Sequence, residues 1–336
     1  MRVLIVKTSS LGDLIHSFPA LTDAARARPD LEFHWLVEEA FHEVPWMHPA
    51  VSCTALIALR RWRRAPLAAF QSGEIRALRR RLRRARYDLV IDAQGLLKSA
   101  LPARWAGAPV AGFDHRSARE PLAAAFYQRR LAVPRRRHAI ERLRRLFAQA
   151  LDYPLPDTPP DYGLTPVAGP RRAELIFFHA TTWPSKHWPP AFWTELARRA
   201  QGAGYRVLWP WGNEQERRQA RWLQARGGGE VLPRLSLTEL KTRLTEAAGA
   251  VGVDTGLAHL AAALGTPAVT LYGPTDPNRT GTLGRHQRRL GVHYPCAPCL
   301  ERRCSRPSAT GVETPCFGTL TPARVWAALE AEMRPT

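Results

Sequence analysis

Polar residues suited to binding an anion follow a short apolar run at residues 251–260. The run ends in Asp254-Thr255-Gly256 and a helical pattern begins there, which predicts a strand, a tight turn and a helix N-terminus. The first turn of a helix has unpaired N–H groups and a positive dipole end, so it suits a pyrophosphate. Plain N-caps have the same residue types, and both interpretations stay open. His259, four residues after Thr255, is the histidine we expect at the ligand.

A second polar turn, Lys-Thr-Ser-Ser-Leu-Gly-Asp at residues 7–13, follows the opening strand-like run. Its single glycine, Gly12, makes it neither a dinucleotide fingerprint nor a P-loop. Asp13 is its only carboxylate. That residue is either a first-turn Asp favoured by the helix dipole or a general base reaching into a cleft.

Two further turns follow apolar runs in the second half of the chain. Thr181, Thr182 and Lys186 form a candidate phosphate cradle, with the lysine neutralising a leaving diphosphate. The alternative is a Thr-rich turn with a solvated lysine. Glu214 and Glu216 follow the next run, where a carboxylate accepts ribose hydroxyl groups in nucleotide-binding folds. The alternative is a charged first helical turn. The turn at residues 272–277 also offers polar groups to a ligand.

The sequence has no Asp-x-Asp motif to hold a divalent cation and no His pair at helical spacing. We therefore expect neither a catalytic metal nor a cofactor. The cysteine cluster Cys296-x2-Cys299-x4-Cys304-x11-Cys316 has a spacing that could hold zinc or an iron–sulfur centre. We favour a reduced, occasionally oxidised, surface loop over a structural metal site.

Short apolar runs alternate with helical patterns along the whole chain, which is typical of parallel βαβ units. The predicted strands are residues 2–7, 32–37, 86–92, 108–113, 174–179, 205–210, 249–253 and 268–272, and the predicted helices are residues 13–27, 96–105, 190–201, 214–226, 237–247, 255–264 and 322–333. Prolines concentrated in residues 152–170 indicate a domain boundary. The fold class is therefore α/β, with two Rossmann-like doubly wound domains, 1–160 and 161–336, facing a central cleft. Ligands of such sheets lie at the carboxyl ends of the strands.

The net charge of +20, from 49 Lys+Arg against 29 Asp+Glu, favours polyanionic partners. Two basic stretches, residues 60–64 and 76–86, stand out, and the second has apolar residues at helical spacing. They form a solvated face, a nucleic-acid surface or an attachment surface for anionic lipid. No nucleic-acid-binding motif accompanies them. Without a signal peptide or an apolar run of ~20 residues, we expect a cytoplasmic chain.

Taken together, these segments resemble the lipopolysaccharide heptosyltransferases of glycosyltransferase family nine. The resemblance covers positions 1 to 277 and is carried by Thr8-Ser9-Ser10-Leu11-Gly12-Asp13, Arg60-Arg61-Trp62-Arg63, Asp92-Ala93-Gln94-Gly95, Ala118-Arg119-Glu120-Pro121-Leu122, His179-Ala180-Thr181-Thr182, Lys186-His187-Trp188-Pro189, Pro210-Trp211-Gly212, Val253-Asp254-Thr255-Gly256-Leu257-Ala258-His259-Leu260 and Tyr272-Gly273-Pro274-Thr275-Asp276-Pro277.

The resemblance implies a GT-B fold with an acceptor-binding first domain and an ADP-sugar-binding second domain. The last helix of the chain could pack back on the first domain. It implies inverting, metal-independent transfer of L-glycero-D-manno-heptose from ADP-heptose to the first Kdo of Kdo-lipid A. The implied roles are a base (Asp13), diphosphate binding (Thr181, Thr182, Lys186), diphosphate and heptose binding (Asp254, Thr255, Gly256, His259), ribose binding (Glu216, with Glu214 as rival) and acceptor binding (Arg60, Arg61, Arg63, Arg64, Arg119).

Two alternatives to this activity stay open. Within the family, the segments at residues 8–13 and 118–122 favour type I enzymes, whereas cysteine-rich segments also occur in type II enzymes, which act on a heptosylated core. Outside it, a cationic protein could keep the fold and bind a membrane surface or nucleic acid without catalysis. For the enzyme, we expect the anionic inner-membrane surface as a partner, peripheral location on its cytoplasmic face, and no nucleic acid.

Overall fold

The computed structural model describes residues 1–164, 169–306 and 314–334. The chain divides into two compact units, Met1–Leu164 and Thr165–Thr336. The division falls within the proline-rich stretch at residues 152–170, of which Pro166 lies outside the described residues.

The first unit contains six strands and seven α-helices. The strands are β1 (Arg2–Val6), β2 (Glu32–Glu38), β3 (Val51–Ile57), β4 (Leu89–Asp92), β5 (Val110–Phe113) and β6 (Arg129–Leu131). The helices are α1 (Leu11–Ile15), α2 (Phe18–Ala27), α3 (Leu59–Arg64), α4 (Pro66–Gln71), α5 (Glu74–Arg84), α6 (Leu97–Ala103) and α7 (Ala139–Leu151). All strands pair in parallel, in the order β3-β2-β1-β4-β5-β6.

The second unit repeats this plan. Its strands are β7 (Arg172–Phe178), β8 (Arg206–Trp209), β9 (Glu230–Val231), β10 (Ala247–Val253), β11 (Ala268–Tyr272) and β12 (Gln287–Gly291). Its helices are α8 (Pro190–Gly202), α9 (Glu214–Gly227), α10 (Leu237–Glu246), α11 (Gly256–Ala263), α12 (Pro277–Thr280) and α13 (Pro322–Met333). The strand order β12-β11-β10-β7-β8-β9 is again parallel.

Both sheets are wound outward in two directions from a central strand pair. The order reverses between β1 and β4 in the first unit and between β7 and β10 in the second. At such a switch point the two following connections leave on opposite faces of the sheet, so a crevice opens beyond the strand ends. The predicted α/β fold with two doubly wound, GT-B-like units is confirmed.

The last helix, α13, belongs to the second unit. Val325 and Leu329 are fully buried in the same apolar cluster as Val251 and Leu271 of the sheet. Its apolar face therefore has a partner within the unit.

One predicted helix is wrong in its extent. Residues 13–27 form two helices, α1 and α2, because Pro19 has no N–H to bond the preceding turn and its ring crowds that turn. Ser17 is the N-cap of the second helix. The apolar spacing continues through the break, so the pattern alone did not reveal it. We also did not predict α7, although Ile140, Leu143 and Phe147 have helical spacing and are buried.

A buried ion pair fastens the end of the first unit. Arg144 of α7 donates through Nε to Asp23 of α2 at 2.5 Å, and the two side chains are only 8% and 5% exposed. Arg144 also donates through Nη1 to the carbonyl of Thr158 at 2.8 Å. This guanidinium thus holds two helices and the proline-rich segment together.

We expect Arg144→Met to destabilise the protein by about 3 kcal/mol, because Asp23 would stay buried without a counterion. Arg145→Met on the same helix is the matched control, since Arg145 forms a half-exposed pair with Glu141 worth at most about 1 kcal/mol. Urea unfolding measures both losses. Equal losses would contradict the assigned role of Arg144.

Candidate active site

Three of the predicted polar side chains, those of Asp13, Lys186 and Asp254, follow strands at the switch points of the two sheets. In the second unit, the segment with Lys186 follows β7 and Asp254 follows β10. In the first unit, Asp13 follows β1. β7 and β10 are hydrogen-bonded neighbours, with Phe178 in register with Gly252, so the turns after them begin side by side. Each unit thus has at least one predicted side chain in a turn at its switch point.

Asp254 is the centre of the group in the second unit. Its carboxylate is 8% exposed and accepts a hydrogen bond from Lys186 Nζ at 2.6 Å. Thr275 Oγ1 donates to the same oxygen, Oδ2, at 2.8 Å. His259 Nε2 lies 3.7 Å from the other oxygen, Oδ1. The structure therefore brings Lys186, Asp254 and His259 together, as predicted, and adds Thr275 from the turn after β11.

The charge state of Asp254 follows from these neighbours. Burial alone would raise its pKa, but the imidazole of His259 and the ammonium group of Lys186 hold the pKa of Asp254 well below its usual range. The carboxylate is therefore ionised at neutral pH. A negative charge fixed at this point keeps the ammonium group of Lys186 in place.

The N-terminus of α11 begins directly after Asp254. Thr255 is the N-cap, with an extended backbone, and its side chain makes no capping hydrogen bond. The first-turn N–H groups of α11, starting at Gly256, are thus not capped by this hydroxyl. His259 is nearly buried on the same helix. The plain N-cap interpretation of Thr255 lacks its side-chain hydrogen bond, which strengthens the prediction of an anion site.

The segment that carries Thr181, Thr182 and Lys186 is tied at both ends. His187 Nε2 lies 3.0 Å from the carbonyl oxygen of Thr181 and closes the loop. The buried hydroxyl of Ser185 donates to the carbonyl of Glu301 at 2.6 Å. Trp188, fully buried, donates through Nε1 to Leu320 O at 2.9 Å and packs at right angles to Trp193. The backbone that presents Lys186 is therefore anchored to the core.

Glu216 accepts two hydrogen bonds within its own turn. Its Oε2 accepts from Gly212 N at 2.7 Å and its Oε1 from Asn213 Nδ2 at 2.8 Å. Glu214 is an exposed partner of Arg217. Because each carboxylate oxygen has two lone pairs, the bonds of Glu216 orient it without excluding ribose hydroxyls. The choice of Glu216 over Glu214 stays a prediction, favoured by this fixed orientation.

Asp13 is held by the turn that precedes α1. Its Oδ2 accepts hydrogen bonds from the backbone N and the hydroxyl of Ser10, both at 2.9 Å. Ser10 is the N-cap of α1, and the two residues form a capping box. The capping interpretation is thus confirmed as geometry. This geometry does not exclude a role of Asp13 as a general base, because Oδ2 and not Oδ1 accepts both hydrogen bonds from Ser10.

Two lysines next to Asp13 were not among the predicted site residues. Lys7 is buried at the end of β1 and donates to Ala93 O at 2.8 Å, and Lys98 donates to Ser9 Oγ at 3.1 Å. Burial lowers the pKa of both lysines, and the charge of Asp13 opposes this shift in each. Their positions offered a signal, because Lys7 and Lys98 follow β1 and β4, whose carboxyl ends meet in a parallel sheet.

The arginines predicted for the acceptor fall into two groups. Arg61 is compensated: it is bidentate to Glu74, at 3.0 and 2.9 Å, and also pairs with Glu39 at 3.1 Å. Any acceptor must compete with these carboxylates for Arg61. Arg60 and Arg119 are exposed, and the charge of each lowers the pKa of Lys98.

The remaining two acceptor candidates, Arg63 and Arg64, are exposed on α3 and form no ion pair with the residues that the structure describes. Their acceptor role stays a prediction.

The buried carboxylate of Asp92 shapes the same edge of the first sheet. It accepts from Gln94 N, Ser99 Oγ and Tyr127 OH at 2.9, 2.9 and 2.7 Å. Burial raises its pKa, and these hydrogen bonds oppose the shift. Gln94 in turn accepts from the backbone N of Thr8 at 2.8 Å. Asp92 therefore fixes the loop against which the Asp13 turn rests.

The four clustered cysteines are free thiols in the structure. Cys296, Cys299 and Cys304 are half-buried, and Cys316 is buried. Burial, and to a smaller extent the three neighbouring thiols, raise the pKa of Cys316 to about 11. Within residues 1–164, 169–306 and 314–334, no group of three or more His, Cys, Asp or Glu side chains is arranged to hold a metal ion.

The lowered pKa of Asp254 predicts how stability depends on pH. A carboxylate with a lowered pKa contributes stability above its unfolded pKa, near 3.9, and loses it only as pH falls through the folded value. We expect Asp254→Asn to lower the free energy of unfolding by about 2 kcal/mol at about pH 7 and by no less at about pH 5. Urea unfolding of both proteins measures it. A cost that shrinks between these pH values would contradict the assignment.

Comparison with known proteins gives one consistent family. The family model for glycosyltransferase family 9 (heptosyltransferase) matches residues 75–309. The chain is 52% identical to lipopolysaccharide heptosyltransferase 1 of Pseudomonas aeruginosa, over 98% of each chain. It is 46% identical to the enzyme of that name in Escherichia coli, over 85% of this chain and 92% of that one.

Solved structures agree with this result. E. coli heptosyltransferase WaaC with ADP matches with a TM-score of 0.87 and 40% identity, over 99% of this chain and 100% of that one. WaaC with ADP-2-deoxy-2-fluoro heptose matches with a TM-score of 0.83 and 41% identity, over 98% and 99% of the two chains. The chain therefore belongs to glycosyltransferase family 9, the heptosyltransferases.

Proposed function

We propose that this chain transfers L-glycero-D-manno-heptose from ADP-heptose to the first Kdo of Kdo-lipid A, with inversion and without a metal ion. The observation that carries the proposal is the anchored Lys186–Asp254 pair beside the start of α11, in a chain that is 52% identical to a lipopolysaccharide heptosyltransferase 1. Members of this family are glycosyltransferases, so the non-catalytic alternative has no support.

The donor diphosphate fits the second unit. Lys186 supplies a positive charge, the first turn of α11 supplies backbone N–H groups, and Thr181 and Thr182 supply hydroxyls. Asp254 is an anion, so it repels the diphosphate and instead faces hydroxyls of the heptose while it holds Lys186. The departing diphosphate shares the Lys186 ammonium group with Asp254, and the N–H groups at the start of α11 add to its stabilisation without a metal ion.

The adenosine end of the donor fits the turn after β8. Glu216 is oriented by Gly212 and Asn213 and accepts the ribose hydroxyls. The buried His179 helps to position this turn, since its Nε2 lies 3.3 Å from the carbonyl oxygen of Glu216. The start of α9 is thereby fixed to the end of β7, the strand that leads to Lys186.

The acceptor fits the first unit. Asp13 takes the proton from an acceptor hydroxyl, whose oxygen forms the new bond to the anomeric carbon of heptose while the bond to the diphosphate oxygen breaks. A single displacement of this kind inverts the anomeric centre. Lys98 and the exposed Arg60 and Arg119 add positive charge to this unit, which suits an anionic sugar acid. Arg61, Arg63 and Arg64 extend this surface along α3.

The acceptor is a lipid, so the enzyme must meet a membrane. No helix in the described ranges is long and apolar enough to cross a bilayer. We propose peripheral attachment to the cytoplasmic face of the inner membrane, drawn by the net charge of +20.

Asp13→Asn tests the base. The amide keeps an oxygen to accept from Ser10, so the capping box survives, but it cannot take up a proton. We expect kcat to fall by about 10²- to 10⁴-fold with unchanged affinity for ADP-heptose. Initial rates and calorimetry measure the two quantities. Transfer within a few-fold of wild type would contradict the role of Asp13.

The same assay separates the two enzyme types. Wild type should heptosylate Kdo-lipid A and not an acceptor that already carries the first heptose. The reverse preference would identify a type II enzyme. Lipopolysaccharide heptosyltransferase 2 of E. coli is 30% identical to this chain over 31% of this chain.

Lys186→Met tests the diphosphate site. Because the methionine cannot neutralise the diphosphate, we expect ADP to bind at least about tenfold more weakly, as for loss of one charge-assisted hydrogen bond. Lys241→Met, on α10, is the matched control and should bind ADP as wild type does. Equal affinity of all three proteins for ADP would contradict the placement of the diphosphate.

A further inference from the structure

The short helix α4 presents its large apolar residues to solvent. Leu67 and Phe70, three positions apart and therefore on one face, are 78% and 64% exposed. The inward face of this helix is formed by Ala69, which is 5% exposed. A helix that packs only on its own domain would turn the larger side chains inward. The reversed polarity indicates that this face has another apolar partner.

Exposed arginines lie on both sides of the two apolar residues. Arg63 and Arg64 end α3, and Arg76, Arg79 and Arg80 lie on α5. The guanidinium of Arg76 lies 5.2 Å from the centre of the Phe70 ring. The partner therefore has to offer both apolar and negatively charged groups.

The same helical layer carries two further exposed leucines. Leu101 on α6 is 49% exposed, and Leu122 on the 3-10 helix Pro121–Phe126 is 71% exposed. The inward residues of this layer share one apolar cluster on one face of the first sheet: Trp62, Ala69, Leu78, Leu82, Ala100, Ala103, Ala123 and Ala124. All of these helices thus cover the same side of the first unit.

We propose that α3, α4 and α5 form a docking surface for an anionic lipid bilayer, with Leu67 and Phe70 inserted below the headgroups and the surrounding arginines on lipid phosphates. The proposal specifies the membrane attachment included in the proposed function. An amphipathic segment with basic flanks and protruding aliphatic and aromatic residues is typical of interfacial binding. A single-stranded nucleic acid needs aromatic stacking platforms along a basic groove, and Leu67 offers none.

Vesicle flotation of the full chain tests the inserted residues. Wild type should float with vesicles of phosphatidylethanolamine and phosphatidylglycerol. Leu67→Gln/Phe70→Gln should lower the partition coefficient by at least about tenfold, because two apolar side chains lose their transfer into the bilayer. Trp46→Gln/Trp222→Gln is the matched control. It replaces exposed aromatics outside the docking surface, one of which, Trp222, also has an arginine over its ring.

The arginines make a separate prediction. Binding should weaken several-fold for Arg76→Gln/Arg80→Gln, at high salt, and on vesicles of phosphatidylcholine alone, since each basic residue near an anionic surface contributes to the attraction. Circular dichroism of every variant checks that the fold is intact.

The outcomes distinguish this proposal from the proposed function. With a detergent-dispersed acceptor, Leu67→Gln/Phe70→Gln should transfer heptose at the wild-type rate, and a wild type without any transfer would overturn the function while leaving the flotation result intact. Three results would overturn the docking surface: flotation of Leu67→Gln/Phe70→Gln equal to wild type, no flotation of wild type, or binding of wild type to RNA but not to vesicles.

Discussion

A carboxylate buried at the end of β10 constrains much of the second unit. Asp254 is 8% exposed, and an ionised group so placed requires positive charge and hydrogen bonds close by. Lys186 and Thr275 meet this requirement from the turns after the two strands that flank β10. The lysine is thereby held beside the start of α11. The residue that stabilises the fold locally also positions the positive charge that we propose for the diphosphate.

Both units have a buried carboxylate at the carboxyl end of a strand at the switch point of the sheet. Parallel strands are covered on both faces by helices, so their interiors are apolar and polar side chains must collect at the ends. In the first unit the switch point holds Asp92, buried and fully hydrogen-bonded, which fixes the loop beside the Asp13 turn. A buried acid at a strand end thus serves as the structural anchor in each unit, and in the first unit the turn that carries the proposed base, Asp13, rests against the loop that Asp92 fixes.

The strand–turn–helix units at Asp13 and Asp254 could be predicted because apolar runs, turn residues and helical spacing follow one another within a few positions. The pairing of Arg61 with Glu39 and Glu74 could not, because it joins segments whose contact depends on how α3 and α5 pack. The exposure of Leu67 and Phe70 was hidden for a similar reason. A short helix has too few residues for the pattern to show which face is inward.

We propose that the donor diphosphate lies between the Lys186 loop and the first turn of α11. Hydrogen–deuterium exchange of the wild-type chain with and without ADP tests it most directly, since amides that bind phosphate oxygens exchange more slowly. We expect slower exchange with ADP in the first turn of α11 and in residues 181–186. ADP-dependent protection elsewhere in the chain, with no change at these amides, would contradict it.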